Sequence, residues 1–331
     1  SVNMKCAKND GSVRKRRFNG SSTCEQVLKG IDLTGKTIAV TGTTNGIGTE
    51  TARSLALAGA HVICLNRSKE MSEKQIEAIR NEKPTVEISF IKCDLSSLAS
   101  VRAATEEIME KQEKLDVLIL NAGIYMAPVK ASSDGLETTF GVNHVAHFHL
   151  TTLLLPLLRS SSPARIVIVS SEGHAHSGLN ATATLEEKVT ALMPNVEENA
   201  GIKRMFALYC LSKLCNLLFA MKLHRDLEGK GVDVYVLHPG SFIGTNLGSG
   251  MGMWGRLMNV LASPFNKSLS QGASTTVYCA VHPETEGISG KYWDSCWDDE
   301  KNLKKSFSED RELQEELWKR TEDLIEKIEK K

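Results

Sequence analysis

Tyr209 and Lys213 are the two side chains of this 331-residue chain whose types and spacing most directly suggest chemistry. Residues four apart on a helix share a face, so a helix here would bring the phenol and the ammonium together. A phenol titrates near pH ~10, and a fixed cation beside it lowers that pKa by favouring the phenolate. Such a pair could donate a proton near neutral pH. The same spacing also fits a half-buried tyrosine beside a solvated lysine, so other residues must decide.

A strand, a glycine-rich turn and a helix are predicted over residues 36–58. Residues 36–40 are a short β-branched run, and an alanine- and leucine-rich helical pattern follows the turn. Such a turn lets the backbone approach a pyrophosphate, and the N-terminus of the helix offers unpaired N–H groups. The spacing is G-x-x-x-G-x-G, which gains weight from its position after the first strand. The candidate cofactor-binding residues of the turn are Gly42, Thr44, Asn45, Gly46, Ile47 and Gly48.

The chain beyond this turn alternates predicted strands and helices. Most of the strands are apolar throughout, which is typical of a parallel sheet covered on both faces. We therefore predict an α/β fold, a Rossmann-type doubly wound parallel sheet in a single domain. Strands are expected at 61–65, 86–92, 116–120, 165–169, 232–237 and 291–293, with helices over about 70–82, 98–113 and 136–158 and around residue 209.

The two ends of the chain differ from this pattern. Residues 1–30 are polar and mixed in charge, so they predict a flexible N-terminal tail. Its basic residues 14–17 are interpreted as solvated, with a targeting or membrane-surface patch as the alternative. Residues 31–331 would form the domain, ending in an amphipathic helix over 308–331.

Two long connections inside the domain have no clear period. Residues 173–204 and 245–270 are candidates for lids or binding loops, because long irregular segments in compact domains tend to have such roles. The second could cover an apolar substrate with soft side chains or be an ordinary packed loop. Its candidate lid residues are Met251, Met253, Trp254 and Met258.

Polar residues follow several of the predicted strands, at the edge where doubly wound folds bind ligands. Arg67 follows the second strand of the domain and favours a 2′-phosphate, hence NADP, over the NAD ribose that an acid would bind. It could also be only a surface arginine. Asp94, which precedes Leu95, could accept a hydrogen bond from adenine or cap the next helix. Asn121, Ala122 and Gly123 follow the fourth strand.

Three further residues complete the pattern. Asn143 lies within a predicted helix, where asparagine is a poor helix former unless its side chain has another partner. Ser170 and Ser171 end the fifth strand. Glycine turn, Asn-Ala-Gly, helical asparagine, strand-end serine and Tyr-x-x-x-Lys thus follow one another at the ends of strands or on facing helices.

This set resembles the classical short-chain dehydrogenase/reductase family over about residues 31–293. The stretches 140–148 (FGVNHVAHF), 209–216 (YCLSKLCN) and 237–240 (LHPG) resemble its retinol dehydrogenase and WW-domain oxidoreductase branch, although no WW domain is present. The interval between Ser171 and Tyr209 is longer than in minimal members of the family. The resemblance implies a catalytic tetrad of Asn143, Ser171, Tyr209 and Lys213. It also implies cofactor contacts from Tyr209, Lys213, Asp94, Leu95, Asn121, Ala122, Gly123, Pro239, Gly240 and Thr245.

The roles implied by the resemblance form one mechanism. Ser171 would bind the substrate oxygen, Tyr209 would give it a proton during reduction, and Lys213 would hold the nicotinamide ribose and lower the pKa of the tyrosine. Asn143 would fix a water that links Lys213 to solvent. The expected function is an NADP(H)-dependent oxidoreductase that interconverts a lipophilic alcohol and a carbonyl. The alternative is a dinucleotide-binding regulatory protein with little catalysis, because a fold alone does not prove chemistry.

Composition and charge limit the partners. Forty basic residues balance forty acidic ones, so no overall field favours nucleic acid or an anionic membrane. The chain as given predicts no transmembrane segment, and scattered cysteines without a C-x-x-C pair suggest a reducing, cytoplasmic location, with peripheral membrane contact left open. The resemblance also implies a homodimer formed through helices that include the tyrosine helix.

His144, His147 and His149 are spaced like metal ligands, but without a carboxylate we expect packing rather than a metal site.

Overall fold

The computed structural model describes residues 5–7, 13–15, 17–197, 200–240 and 267–330. Thr245 and the candidate lid residues Met251, Met253, Trp254 and Met258 lie outside these ranges. Near the N-terminus, β1 (Lys5–Ala7) and β2 (Val13–Lys15) pair as a separate antiparallel sheet.

The main sheet has seven strands, all parallel, in the order β5-β4-β3-β6-β7-β8-β9. The predicted doubly wound α/β fold is therefore confirmed. Continuous apolar sequence forms these strands because both faces of the sheet are covered, and every residue of the first of them is buried. The strands are β3 (Thr37–Thr41), β4 (His61–Asn66), β5 (Ile88–Lys92), β6 (Val117–Leu120), β7 (Ala164–Val169), β8 (Val232–His238) and β9 (Tyr292–Asp294).

Helices cover both faces of this sheet. Several begin at side-chain caps that the sequence supplies, such as Ser68, which accepts from the Met71 N–H, and Ser97, which accepts from the Ser100 N–H. Within the described ranges the α-helices are α1 (Cys24–Leu28), α2 (Gly46–Leu57), α3 (Lys69–Glu82), α4 (Leu98–Lys111), α5 (Thr138–Phe140), α6 (Ala146–Ser160), α7 (Leu185–Leu192), α8 (Ile202–Leu227), α9 (Leu269–Val281), α10 (Lys305–Ser308) and α11 (Arg311–Glu329). Between α5 and α6, Gly141–Val145 forms a π-helical turn.

The order of the strands places a crevice at the carboxyl ends of β3 and β6. The chain runs outward from β3 through β4 to β5, then returns to pair β6 with the other side of β3. Ligands of doubly wound sheets bind at this switch point, since the connections leave in opposite directions there. The glycine turn follows β3, and Asn121 follows β6, so both border the crevice.

The N-terminal boundary of the domain differs from the prediction. Phe18, Cys24 and Val27 belong to the buried core, where they pack with residues of α2 and α9. The Cys24 N–H donates to the Ser270 hydroxyl at 2.9 Å. The packed domain therefore begins by residue 18, and not at residue 31. This docking could not be predicted from the sequence, because α9, the helix that receives these residues, was itself not predicted.

The long segment before the tyrosine helix and the predicted C-terminal helix form one structure. The first contains α7, and α11 packs against both α7 and α8. Leu313, Leu317 and Ile325 of α11 are buried in the core that α6 and α8 share. This cover of α11 and α7 occupies the outer face of α8, a helix through which the resemblance implied a homodimer.

Ion pairs lie along the rim of this cover. They join α11 and its N-cap residue to three other helices, α4, α7 and α8. The pairs are Arg102–Glu329, Lys188–Asp310, Lys222–Glu315, Arg225–Glu315 and Arg320–Glu186.

Among the described residues, α8 is the one helix long and apolar enough to cross a membrane by length and composition. Of its most apolar window, 78% is buried within the fold. This burial is typical of the core helix of a domain, so the criterion is weak evidence for a membrane span.

Candidate active site

The glycine turn after β3 brings backbone close to backbone. Gly42 has a φ of +71°, a conformation that favours glycine, and a Cβ there would lie 2.8 Å from the Ala122 Cβ. A Cβ on Gly48 would lie 2.0 Å from the Gly42 oxygen and 2.4 Å from the Asn121 Nδ2. Side chains at these two positions are therefore excluded, which leaves the backbone of the turn bare.

Asn66, which was not among the predicted site residues, stabilises the glycine turn by hydrogen bonds. Asn66, buried at the end of β4, accepts from the Thr43 N–H at 2.7 Å and donates to the Thr43 hydroxyl at 2.8 Å. Thr44 and Asn45 precede α2, and Asn45 is its N-cap residue but makes no side-chain cap hydrogen bond. The bare turn and the uncapped N–H groups fit a pyrophosphate, so these residues suit the diphosphate of a dinucleotide.

The other end of a bound dinucleotide would meet Arg67, Asp94 and Leu95. Arg67 is exposed at the carboxyl end of β4 and forms no ion pair within the described part of the chain. Asp94 is half-buried, and its Oδ1 accepts from the Ser96 N–H at 2.9 Å and the Ser96 hydroxyl at 2.8 Å. The cap of α4 is Ser97, so the alternative in which Asp94 caps this helix is wrong.

Asn121, Ala122 and Gly123 form the opposite wall of the crevice. The Asn121 amide donates to the carbonyls of Thr41 and Gly42 at 3.0 and 3.1 Å, which joins this wall to the glycine turn. A Cβ on Gly123 would lie 3.3 Å from the Lys213 Nζ. The wall therefore connects the glycine turn with α8.

Asn143 lies in the π-helical turn between α5 and α6 and is fully buried. Its Oδ1 accepts from the Ile124 N–H at 2.8 Å, and its Nδ2 donates to the Ile124 carbonyl and the Ser212 hydroxyl, both at 3.0 Å. π-helical turns frequently mark functional sites. The side chain that made asparagine unusual in a helix thus fixes the backbone after Gly123 and contacts α8.

The two serines at the end of β7 have separate roles. Ser170 is buried and donates its hydroxyl proton to the Lys213 carbonyl at 2.8 Å. Ser171 is half-buried, accepts from the Gly173 N–H at 3.0 Å and is hydrogen-bonded to Tyr209. Of the pair, Ser171 is therefore the one placed to share a substrate oxygen with the phenol.

Lys213 and Tyr209 share one face of α8, as their spacing predicted. The Lys213 Nζ lies 5.7 Å from the centre of the Tyr209 ring and donates to the Val169 carbonyl at 3.0 Å. Burial lowers the pKa of Lys213 to about 8, because the charged form is desolvated.

The pKa of Tyr209 shifts in the direction opposite to our expectation. Burial raises it to about 12, and the hydrogen bond with Ser171 opposes this only in part. We expected the cation of Lys213 to lower it, but the cost of desolvating a phenolate is larger. Tyr209 is therefore a protonated phenol at neutral pH, but the same shift makes it a weaker proton donor than we expected.

Pro239 and Gly240, at the end of β8, are half-buried on the same edge of the sheet. Gly240 has a φ of +103°, and a Cβ there would lie 2.5 Å from the Lys267 Nζ. These two predicted cofactor contacts therefore lie at the crevice side of the sheet, whereas Thr245 is outside the described residues.

The three histidines near Asn143 point to different neighbours. His144 packs among Phe140, Phe148 and Phe219, with ring centres 5.6 to 6.2 Å apart. His147 contacts Thr41, and His149 approaches Glu329 of α11 at 3.2 Å. Across residues 17–197, 200–240 and 267–330, no three His, Cys, Asp or Glu side chains are grouped to hold a metal ion.

The structure also assigns contacts to residues that the sequence analysis missed, namely Thr41, Asn66 and His147. Thr41 directly precedes the first glycine of the turn, Asn66 precedes Arg67, and His147 follows Asn143 by four residues. Position next to a predicted site residue, or one helical turn from it, was the available signal.

The comparisons with known proteins agree with this geometry. A model of the short chain dehydrogenase family matches residues 36–183. The WW domain-containing oxidoreductase of Homo sapiens is 39% identical over 311 residues, which are 94% of this chain and 73% of that protein. Retinol dehydrogenase 14 of Homo sapiens is 37% identical over 329 residues, covering 94% of this chain and 93% of that protein. A solved structure of an uncharacterized protein from Mycobacterium paratuberculosis has a TM-score of 0.65 at 25% identity and covers 91% of this chain and 97% of that one. The chain therefore belongs to the short-chain dehydrogenase/reductase family of oxidoreductases.

Proposed function

We propose that this protein is an NADP(H)-dependent oxidoreductase that interconverts a lipophilic alcohol and its carbonyl. The observation that carries the proposal is the half-buried phenol of Tyr209, which is hydrogen-bonded to Ser171 and whose ring lies beside Lys213. An acid, a hydroxyl that shares its substrate oxygen and a nearby cation are the groups that reduction of a carbonyl needs from a protein.

The chain's own residues divide the reaction as follows. Ser171 holds the substrate oxygen, and Tyr209 gives that oxygen its proton in reduction or takes it back in oxidation. Lys213 would hold the nicotinamide ribose, and its positive charge on the same side stabilises the phenolate that the transfer leaves. The glycine turn and Asn121–Gly123 hold the dinucleotide, which, when bound, supplies or accepts the hydride.

The preference for NADP(H) rests on Arg67. Its guanidinium is exposed where β4 ends, is free of ion pairs within the described chain, and has the charge and planar donors that suit a 2′-phosphate. The buried Asn66 before it is fully engaged with Thr43 and Ser72 and carries no carboxylate for ribose hydroxyls. Both features support the phosphorylated cofactor.

The lipophilic class of substrate rests on the approach to Tyr209. Ile202 and Phe206 are 63% and 39% exposed, and with Tyr209 they follow one face of the first turns of α8. The Tyr125 ring packs against that of Tyr209 with centres 4.7 Å apart. This apolar stripe would suit the non-reacting part of an apolar substrate, and a retinol dehydrogenase is among the similar proteins.

The experiment is oxidation of NADPH and NADH by the purified protein with retinal, steroid ketones and medium-chain aldehydes. We expect turnover with a lipophilic carbonyl and a lower KM for NADPH than for NADH. Arg67→Asp should reverse that cofactor preference, because it replaces the cation by an acid suited to ribose hydroxyls.

The results of this experiment test catalysis and cofactor preference separately. Binding of NADPH with no turnover across the panel would contradict an enzyme and favour a cofactor-binding regulator. Turnover with equal KM for both cofactors would contradict the role of Arg67 alone. A homodimer remains a proposal as well, and light scattering of the purified protein tests it; since α11 covers the outer face of α8, we expect any dimer to use another surface.

A further inference from the structure

His147 joins the two halves of the site through one buried ring. It lies in the first turn of α6 and is 2% exposed. Its Nε2 is 2.9 Å from the Thr41 hydroxyl, and its Nδ1 is 3.2 Å from the Asn143 carbonyl oxygen. One end of the ring thus contacts the strand that leads into the glycine turn, and the other contacts the π-helical turn of the tetrad.

The hydrogen bonds of Thr41 determine which ring nitrogen carries the proton. The Thr41 Oγ1 already accepts from the N–H groups of Asn121 and Ala122, both at 3.0 Å. A hydroxyl has two acceptor sites and one proton, so its proton must go to a remaining acceptor. The His147 Nε2 at 2.9 Å is closer than the Ile119 carbonyl at 3.5 Å. The Nε2 therefore accepts, and the Nδ1 is the nitrogen that donates to Asn143.

The ring is fixed in this neutral form. Burial lowers the pKa of His147 to about 3, and the charge of Lys213 acts in the same direction. A second proton would place an N–H against the Thr41 hydroxyl, which has no free lone pair left for it. His147 is therefore a static connector and does not shuttle protons.

The groups at the two ends of the ring have different tasks. Thr41 positions Asn121 and Ala122, which form the wall opposite the glycine turn. Asn143 positions Ile124 and contacts Ser212, the neighbour of Lys213 on α8. A displacement of Thr41 must therefore displace the Asn143 backbone as well, because the same ring is hydrogen-bonded to both.

We propose that His147 is a positioning residue that couples the dinucleotide-binding turn to Asn143 and the tyrosine helix. The inference rests on the proposed function, since the coupled groups are those assigned to cofactor binding and proton transfer there. It predicts that loss of this ring weakens cofactor binding and slows turnover together, whereas damage to packing alone would lower stability and leave both unchanged.

His144→Phe provides a matched control for His147→Phe. Both histidines are buried and neutral, lie three residues apart and would lose the same ring nitrogens, but His144 faces an aromatic cluster away from the crevice. The measurements are the Kd for NADPH by its fluorescence, kcat and KM with the best carbonyl of the panel, and Tm. If the wild type binds NADH more tightly, NADH takes the place of NADPH.

We expect His147→Phe to weaken cofactor binding and lower kcat by about tenfold each, because a buried acceptor and a buried hydroxyl lose their partner. His144→Phe should change both by less than about twofold, whatever its Tm. His147→Gln, whose amide can restore one of the two bonds, should fall between and serves if His147→Phe does not fold. Thr41→Val combined with His147→Phe should cost less than the sum of the single changes, since both break one link.

Normal cofactor binding and kcat in a folded His147→Phe protein would overturn the inference, as would equal losses in His144→Phe. The binding measurement needs no substrate. A wild type that binds NADPH but reduces no carbonyl would therefore end the proposed function, while the effect of His147 on Kd would still decide the coupling. A wild type that binds neither nucleotide would end both.

Discussion

The helices α6 and α8, with the π-helical turn that leads into α6, bury two very different surfaces. Their inner face carries Asn143, His147 and Lys213, which are polar, almost fully buried and hydrogen-bonded to protein groups. Their outer face carries Phe148 and Phe219, which pack with the Trp318 ring of α11. Both faces are desolvated, but one is held by directional bonds and the other by apolar area.

This difference determines what each face tolerates. A buried polar group that loses its partner bears the cost of desolvation, so substitutions on the inner face act sharply and on function. Apolar packing tolerates exchange when volume is kept, and its loss acts on stability. Substitutions on the inner face should therefore lower activity, and substitutions on the outer face should lower the free energy of unfolding.

Tyr209→Phe should give the largest effect, a loss of roughly 10²- to 10⁴-fold in kcat, since it removes the acid and keeps the ring. The Kd for NADPH should stay within about twofold, since the ring and the other implied cofactor contacts, those of the glycine turn included, are kept. Steady-state kinetics and fluorescence titration measure the two effects.

Tyr125→Phe is the control for that change, because its ring packs directly on Tyr209. It should keep most of the activity. Substantial turnover by Tyr209→Phe would remove the phenol from the mechanism, and an equal loss in Tyr125→Phe would mean that ring packing and not the acid matters.

Leu317→Ala should produce the reverse result on the outer face. Leu317 is buried in α11 against the α6–α8 core, so we expect a loss of about 2 to 5 kcal/mol in the free energy of unfolding. The kcat of the folded fraction should not change. Urea unfolding measures the effect, with the exposed Lys319→Ala in the same helix as control. A tenfold loss of kcat in a folded Leu317→Ala protein would mean that the two faces are not independent.

The pH dependence of reduction tests the inner face alone. The pKa of Lys213 is lowered to about 8 by burial and that of Tyr209 is raised to about 12, so between these values the ammonium is lost and the phenol remains protonated. We expect kcat/KM to be level below pH 8 and to fall about tenfold for each pH unit above it. A level profile up to pH 9.5 would show that the charge of Lys213 is not required.

The same shift has an opposite effect on stability. Between pH 8 and 10.5 the unfolded chain holds a proton on Lys213 that the folded chain has released, so the contribution of this group to the free energy of unfolding rises with pH. Lys213→Met should lack that rise. Urea unfolding of both proteins at pH 7.5 and 9.5 measures it, and an equal slope in the two would place the pKa of Lys213 near its ordinary value.

Arg102→Ala should have the smallest effect. Its ion pair with Glu329 joins α4 to the end of α11 at the solvent-exposed rim of the cover, where such pairs contribute less than about 1 kcal/mol. The effect should shrink further in high salt. A loss as large as that of Leu317→Ala would mean that the rim, and not the apolar area, holds α11 in place.

Local patterns predicted most of the strands, whereas the tetrad came from the resemblance to a family and stays a prediction. Continuous β-branched runs can hardly form anything but buried strands, and residues at strand ends must meet at one edge of a parallel sheet. The same reasoning missed α9, because a segment rich in Ser, Thr and Gly has weak helical propensity and is held by the sheet and by Phe18, Cys24 and Val27.

The features of the site that could not be predicted depend on contacts between residues far apart in the sequence. His147 and Thr41 are 106 residues apart, so no spacing rule joins them. The direction of the Tyr209 pKa depends on how deeply the ring is buried, which a Tyr-x-x-x-Lys spacing does not contain. Pairing between neighbours is visible in sequence, whereas desolvation is a property of the assembled structure.

The packing of α11 over α8 also determines when, during synthesis, the aromatic face of α6 and α8 becomes buried. On the ribosome, Phe148 and Phe219 are synthesised well before Leu317 and Trp318, so their aromatic face has no cover during that interval. Exposed apolar surface in a partly made domain invites aggregation and the binding of chaperones. The nascent protein should therefore be most prone to aggregation after Tyr209 and Lys213 have been made and before α11 has been made.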